Sequence, residues 1–401
     1  MANVSSSNGL EKRPKLRFPG FDDPYRKCRI GDIYGERSQR GAGDMELLSV
    51  TMNDGVMPRT EIEGKDNSSE DKSNYKVVCK GDMVYNSMRM WQGANGVSNY
   101  DGIVSPAYTV LMPTEEIDNQ YFAALFKTSN LINEFRKNSQ GLTSDTWNLK
   151  YPQIRPIRLC IPSLQEQNKI SSFIGTLEER ISKQRQLVDS LKKYKRGAVR
   201  SLLSAKSCPL KNASWTTAKM GELGYFIKGA PLSKADISED GTPFILYGEL
   251  YTTYNEVVTS VKRRTQAQVD ETFLSRVGDV VIPTSGETPE EISTASCVML
   301  PDVILAGDLN IFRGDKVDGR IMSYLLNHVV NAKIARIAQG KSVVHIQASE
   351  LCKLTLTYPD KSTQNTIIGF LSSLDDRIMN EENALAFLSD LKEGLLQQLF
   401  I

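Results

Sequence analysis

Residues 172–181 read SFIGTLEERI, and residues 369–378 read GFLSSLDDRI. The second stretch follows the first at an offset of 197 positions (369 − 172), and the similarity extends well beyond ten residues. At this offset residues 163–203 align without a gap to residues 360–400, and 11 of the 41 pairs are identical. Self-similarity at a fixed spacing indicates a duplicated structural unit.

Shorter matches outside these segments follow the same order. Gly81-Asp82 matches Gly278-Asp279 at the same offset, and RIGDI at residues 29–33 resembles KMGEL at residues 219–223. Each short match alone is compatible with chance, but chance does not explain their common order along the chain. The sequence therefore predicts two diverged copies of one unit, each a globular part followed by a helix.

The composition of the 401-residue chain is that of a globular protein. Hydrophobic residues make up 40% and charged residues 24%, and the length suggests two or three domains. No run of 18 apolar residues and no apolar signal region is present, so we expect no membrane contact and a cytoplasmic location. The six cysteines are scattered and are expected to be reduced thiols.

Both repeated segments have the apolar spacing of a coiled-coil seam. Apolar residues recur four and three positions apart, beginning at Ile170 in the first segment and at Ile367 in the second. Each segment is predicted to form one helix of roughly 40 residues and about 60 Å. Ser163 and Glu166 form a capping-box pattern at the start of the first helix.

Two positions of the seam are polar in both copies. Gln184 and Glu381 occupy one of them, and Lys195 and Lys392 occupy the other. Polar residues in a seam lower stability but fix the register of a helix pair, which is the role we predict for these four. The alternative is that they are solvated positions near frayed contacts.

The charges of the two segments favour pairing of the two helices with each other. Residues 163–203 hold nine Lys/Arg and four Asp/Glu (+5), whereas residues 360–401 hold three and seven (−4). An antiparallel, two-fold-related pair would place the globular parts at opposite ends. The alternative is that each helix packs only on its own globular part.

The two globular parts are predicted to be α+β. Short β-type runs such as YKVVCKGDMVYN at residues 75–86 alternate with turn signals, and helix candidates cover residues 119–138 and 319–338. The predicted boundaries are residues 1–23 for an N-terminal segment, 24–161 for the first globular part, 162–206 for the central helix, 207–358 for the second globular part and 359–401 for the C-terminal helix.

Polar and basic loop residues in these parts are candidates for DNA contact. Arg, Asn and Gln can read base edges in the major groove, whereas Lys and Ser suit phosphates. The candidates in the first part are Arg37, Arg40, Asn86, Arg89, Gln92, Thr143 and Ser144, and those in the second are Lys228, Lys234, Thr284, Ser285, Lys341 and Ser342. Since surface loops are usually polar, no single candidate decides the function.

No self-contained catalytic constellation is recognisable in the sequence. The two histidines, His328 and His345, form no zinc pattern, and Ala335 stands where a phosphate-binding loop ending at residues 340–342 needs its first glycine. We therefore expect no catalytic residue, cofactor or metal in this chain. An enzyme with an unrecognised site stays as an alternative.

The residues described so far resemble the specificity (S) subunit of Type I restriction-modification systems. KLRFPGF at residues 15–21, IPSLQEQNKI at 161–170 and LKEGLLQQLF at 391–400 are similar to segments of that family. Thr363 departs from the pattern, because the family has a glutamate at this position of the helix start.

The resemblance implies a fold and a function. The fold would be α+β, with two pseudo-repeated globular α/β target recognition domains separated by a pair of long antiparallel coiled-coil helices. Each domain would read half of a bipartite double-stranded DNA target, and the helices would set the spacer. The helices would also dock two modification subunits, which carry S-adenosylmethionine and the adenine methyltransferase chemistry, and motor-nuclease restriction subunits would join for cleavage.

Two other functions stay open from the sequence. The chain could be a structural coiled-coil adapter whose globular parts bind proteins, or the recognition subunit of a related methylation-only system. A bipartite DNA footprint in the presence of the partner subunit would exclude the adapter.

Overall fold

The computed structural model describes residues 13–41, 44–52, 55–66, 68–143, 146–338 and 344–400. The chain divides into two compact units, which are residues 1–185 with 383–401 and residues 186–382. Each unit contains one segment of both long helices.

Within the described residues, the first unit combines ten strands with four short α-helices. Its strands are β1 (Arg26–Arg29), β2 (Tyr34–Glu36), β3 (Leu48–Thr51), β4 (Gly55–Pro58), β5 (Lys76–Val78), β6 (Met83–Asn86), β7 (Asn95–Val97), β8 (Gly102–Val104), β9 (Tyr108–Pro113) and β10 (Arg158–Ile161). Its short helices are α1 (Ile30–Ile33), α2 (Asn119–Leu125), α3 (Ser129–Asn138) and α4 (Tyr151–Ile154). The long helix α5 (Leu164–Leu202) follows.

The second unit has a similar inventory. Its strands are β11 (Trp215–Lys219), β12 (Tyr225–Lys228), β13 (Thr242–Leu246), β14 (Val257–Val258), β15 (Arg263–Thr265), β16 (Asp279–Pro283), β17 (Ser285–Gly286), β18 (Ser296–Val298), β19 (Ile304–Ala306), β20 (Leu309–Arg313), β21 (Val344–His345) and β22 (Thr355–Pro359). Its short helices are α6 (Met220–Leu223), α7 (Glu249–Thr252), α8 (Pro289–Ile292), α9 (Gly319–His328), α10 (Asn331–Ile337) and α11 (Ala348–Cys352), and the second long helix is α12 (Lys361–Leu399).

The duplication seen in the sequence is present in the sheets. In each unit the first strand pairs antiparallel with the strand that leads into a long helix, as β1 with β10 and β11 with β22. The central sheets have the orders β2-β9-β6-β7 and β12-β20-β16-β18-β14. The first four strands of these two orders correspond, so the fold class predicted for the globular parts is confirmed.

The repeated Gly-Asp dipeptide forms the same turn before the central strand of each unit. Gly81 and Gly278 have φ angles of +94° and +96°, a left-handed conformation that glycine adopts at little cost. The buried carboxylates of Asp82 and Asp279 each accept the backbone N–H three residues earlier at 2.8 Å. The dipeptide therefore closes the turn that starts β6 and β16.

The repeated glutamine of the helix starts joins each long helix to its globular part. Gln167 is buried, donates to the Pro162 carbonyl (3.0 Å) and accepts the Asp118 backbone N–H (3.1 Å). Gln364 makes the two equivalent bonds in the second unit, at 2.8 and 2.9 Å. Both bonds satisfy backbone groups at the strand-to-helix turn and at the start of a short helix.

The two long helices begin with different caps. The Ser163 hydroxyl accepts the Glu166 backbone N–H (3.4 Å), but the Glu166 carboxylate binds Arg17 (2.8 Å) instead of completing the predicted box. In the second unit the Asp360 carboxylate accepts both the backbone N–H and the hydroxyl of Thr363. The departure at Thr363 therefore changes the cap and leaves the helix intact.

Each unit packs both long helices into its core. The first core includes Ile170 of α5 and Leu399 of α12, and the second includes Val199 of α5 and Ile367 of α12. The start of one helix thus meets the end of the other in both units. The predicted antiparallel pair is confirmed, and the alternative that each helix packs only on its own part is wrong.

Candidate nucleic-acid interface

In the first unit the loop that follows strand β6, with Arg89 and Gln92, lies beside the loop that contains Thr143 and precedes helix α4. The Asn86 side chain accepts the Met88 backbone N–H (3.0 Å), which shapes the start of the first loop. The second loop is fixed beside it because the Leu149 backbone N–H donates to the Ser87 carbonyl (2.8 Å). The rings of Trp91 and Trp147 meet edge to face at 5.2 Å across the two loops.

Among the described candidates of these two loops, Asn86 and Gln92 are half-buried. Arg89 and Thr143 are exposed, and the Arg89 guanidinium donates to the Gln92 amide oxygen (3.4 Å). Sequence reasoning missed Arg136, whose guanidinium lies over the Trp91 ring at 5.4 Å. Arg136 belongs to helix α3, so a search restricted to loops could not find it.

The second unit builds a corresponding loop pair after strand β16. Strand β17 pairs antiparallel with β21, with Ser285 opposite His345, and the Ile346 backbone N–H donates to the Thr284 carbonyl (2.9 Å). The Ser285 hydroxyl is buried and donates to the Asp308 carboxylate (2.6 Å). A loop that was not among the predicted ones, the β19–β20 turn with Asp308, thus joins this surface.

Two further candidates lie around the same turn of the second unit. Lys228 ends β12 opposite Asn310 of β20, whose side chain donates to the Ile346 carbonyl (3.1 Å). Lys234 lines a cavity of about 650 Å³ together with Asp308. The fold therefore gathers Lys228, Lys234, Thr284 and Ser285, which are far apart in sequence.

Arg37 and Arg40 belong to another part of the first unit. The Arg37 guanidinium forms a two-point ion pair with the buried Asp82 (2.6 and 3.0 Å), and these hydrogen bonds raise the pKa of Arg37. Arg40 donates to the Asn74 carbonyl. A DNA contact by either arginine stays a prediction, and Arg37 has a structural partner that the sequence did not indicate.

Three candidates, Ser144, Lys341 and Ser342, lie outside the described residues. Among the residues that are described, no group of three or more His, Cys, Asp or Glu side chains could hold a metal ion. No helix within the described ranges is long and apolar enough to span a bilayer.

The polar seam residues have distinct surroundings. Lys195 is buried and pairs with Asp375 across the helices at 2.6 Å, whereas Lys392 is half-buried and pairs with Glu178 at 2.6 Å. Gln184 and Glu381 are half-buried. Their role in setting the register stays a prediction.

The comparisons with known proteins agree with this duplicated architecture. The sequence profile described as "Type I restriction modification DNA specificity domain" matches residues 29–192 and again residues 212–386. The class defined by the fold is thus a protein with two DNA specificity domains. The chain belongs to the Type I restriction-modification DNA specificity family, and its role is DNA sequence recognition.

Solved structures show the same fold. A Type I restriction-modification S subunit from M. genitalium matches with a TM-score of 0.61 at 13% identity, covering 97% of this chain and 99% of that one. A chain from a study of complex assembly and conformational transition of the type I R-M system matches with a TM-score of 0.58 at 16% identity, covering 96% and 99%. The search of curated proteins found no match.

Proposed function

We propose that this chain is the recognition subunit of a Type I restriction-modification enzyme and that each globular part reads one half of a bipartite DNA target. The observation that carries the proposal is the duplicated loop pair, which follows β6 in one unit and β16 in the other. Two equivalent polar surfaces on one chain suit two half-sites, because paired readers at a fixed distance recognise sites of fixed spacing.

The paired helices would set the spacer and bind two modification subunits. An apolar groove of about 610 Å³ on the second unit supports docking there, with Tyr194 and Phe370 among its lining residues. Phe370 is the repeat equivalent of Phe173, whose ring meets that of Phe18 edge to face at 5.7 Å in the first unit. An apolar side chain of a modification subunit would make the corresponding contact at Phe370.

The catalytic steps would belong to the partner subunits. Modification subunits would supply S-adenosylmethionine and adenine methylation, and restriction subunits would supply DNA translocation and cleavage in the cytoplasm. The chain's net charge of +1 supports sharing of the DNA contacts, since binding duplex DNA with high affinity requires neutralisation of many phosphates. The part of this chain that reads DNA would thus act without chemistry of its own.

Methylome sequencing of a host that expresses the chain with its modification subunit tests the proposal. We expect adenine methylation within a two-part sequence that has a gap of constant length, and no such methylation when the modification subunit is expressed alone. Methylation of an uninterrupted sequence, or none with both proteins present and assembled, would contradict it. Lengthening α5 and α12 by equal whole turns should lengthen only the gap.

A further inference from the structure

The cavity of about 650 Å³ in the second unit lies beside the gathered DNA-contact candidates. Its lining comes from the segment after β12, from the start of α7 and from the β19–β20 turn. Tyr247 and Tyr251 contribute aromatic surface, and Lys234 and Asp308 contribute charge. The cavity therefore combines aromatic faces with charges of both signs at the surface proposed to contact DNA.

The position of Asp308 is fixed by its own turn. Gly307 has a φ angle of +74°, and its backbone N–H donates to the Ala230 carbonyl (2.8 Å). The Asp308 carbonyl accepts the Thr284 backbone N–H (2.7 Å), and the Asp308 carboxylate accepts the Ser285 hydroxyl (2.6 Å). Although Asp308 is exposed, its carboxylate is therefore held in one orientation, as a recognition group has to be.

The charged residues of the cavity other than Asp308 differ in whether they form ion pairs. The buried carboxylate of Glu249 accepts the Leu246 backbone N–H (3.0 Å) and pairs with Arg263 (2.8 Å), so these two charges compensate each other. Among the described residues no ion pair holds Lys234, which is exposed. Lys234 suits a phosphate, whereas Asp308 would repel one.

We propose that Asp308 reads one base of the second half-site by accepting a hydrogen bond from an exocyclic amino group in the major groove. Cytosine N4 and adenine N6 are the amino groups that a carboxylate can accept from there. A carboxylate held at a DNA-facing surface costs affinity through phosphate repulsion, and a base contact offsets that cost. This inference rests on the proposed function and assigns one base-reading residue within it.

Ser285 would act as a positioning residue for this contact. Its hydroxyl is buried and touches the carboxylate, so it orients Asp308 without reaching the DNA itself. Ser285→Ala should relax the preference for the same base less than loss of the carboxylate does. Ser285→Thr, which keeps the hydroxyl, should restore the preference.

The test uses the full chain assembled with its modification subunits and compares Asp308→Asn with Asp315→Asn. Asp315 is exposed beyond the other end of β20, so the control removes the same charge from the same unit. Methylome sequencing should show a relaxed preference at one position of one half-site for Asp308→Asn, and the original sequence for Asp315→Asn. An unchanged preference in Asp308→Asn would overturn the inference.

A second measurement uses the unaltered chain and duplexes that each lack one exocyclic amino group. Binding should weaken roughly ten-fold or more at a single position of one half-site, and this loss should vanish in Asp308→Asn. Equal losses with both chains would overturn the assignment. If the unaltered assembly shows no sequence preference at all, the proposed function fails instead, so the two failures are distinguishable.

Discussion

Lys195 and Lys392 occupy the same position of the repeat, yet they lie in different surroundings. Each pairs across the long helices with the repeat-equivalent acid, Lys195 with Asp375 and Lys392 with Glu178, both at 2.6 Å. The Lys195 side chain is only 10% exposed, and the Lys392 side chain is 25% exposed. The seam therefore keeps one ion pair in both copies, but only one copy buries it.

The second unit encloses Lys195 in a charged network. Glu256 pairs with Lys195 (2.7 Å) and contacts the His328 ring nitrogen (2.5 Å), and the Lys195 ammonium lies 5.2 Å from the centre of the Tyr324 ring. The Tyr324 hydroxyl donates to Asp375 (2.6 Å). Each buried charge thus has an opposite partner, which burial requires.

The first unit has a cavity in the corresponding place. Counted from the equivalent caps Asp118 and Asp318, Ala124 takes the position of Tyr324. Ala124 and Glu178 line a cavity of about 240 Å³ there. The repeat thus preserves the helix-to-helix ion pair, while the surrounding globular part determines how much that pair contributes to stability.

The largest effect predicted from this comparison is that of Lys195→Met. Burial alone would lower the pKa of Lys195, but the carboxylates of Glu256 and Asp375 outweigh it and raise that pKa. Removing the ammonium leaves Asp375 without an opposite charge and Glu256 with His328 alone, so the second unit should lose about 3–5 kcal/mol of unfolding free energy. Denaturant unfolding followed by amide hydrogen exchange would measure the loss.

Lys392→Met is the matched control for that variant. Its half-exposed pair with Glu178 should contribute only about 0–1 kcal/mol. Equal losses for the two variants would contradict the difference between the copies.

The second-largest effect that we predict is a loss of unfolding free energy at acid pH. Burial alone would raise the pKa of Glu256, but His328 and Lys195 lower it from 4.5 to about 2. Because the folded pKa is the lower one, the contribution is fully present above pH 4.5 and is lost as the pH falls towards 2. It should amount to about 3 kcal/mol, which Glu256→Gln would remove.

Denaturant unfolding at pH 5 and pH 3 would measure this dependence. The difference in unfolding free energy between the unaltered chain and Glu256→Gln should shrink at the lower pH. Glu382→Gln, which breaks an exposed pair with Lys192, should not show this change. A difference between the unaltered chain and Glu256→Gln that stays constant with pH would contradict the network.

The smallest difference between the two units should come from the buried glutamines, because Gln167 and Gln364 make the same two hydrogen bonds. Gln167→Ala and Gln364→Ala each leave two backbone groups without a partner and should each cost about 1–3 kcal/mol in their own unit. Hydrogen exchange of the two units would compare them. If only one of the two variants destabilised its own unit, the two glutamines would not be equivalent.

The sequence predicted the features that repeat or follow a period. The offset of 197 positions, the apolar seams and the opposite helix charges were enough to predict two long antiparallel helices. The turns around Gly81 and Gly278 were also predictable, because a positive φ favours glycine. The sequence also indicated the loops after β6 and β16, but not that each lies beside a later loop of its unit, as the Leu149–Ser87 and Ile346–Thr284 backbone hydrogen bonds show.

Features that depend on contacts distant in sequence were not predictable. Glu256 lies 61 residues from Lys195, and nothing in the helix pattern indicates that it reaches the seam. The helix candidate at residues 119–138 breaks into α2 and α3, and the Thr128 hydroxyl at the break donates to the Leu125 carbonyl (2.8 Å). The second candidate likewise divides into α9 and α10. Asp308 was missed because its turn was not among the predicted loops, and the equivalent turn of the first unit has Ala107, whose carbonyl accepts the Ser87 backbone N–H (3.1 Å).

The most direct test of two modular readers on one chain is an exchange of residues 24–161 for the corresponding part of another family member. The exchanged chain would be expressed with its modification subunit, and the methylated sequence would be determined by methylome sequencing. We expect one half-site to change while the other half-site and the gap stay the same. A change in both half-sites would contradict it.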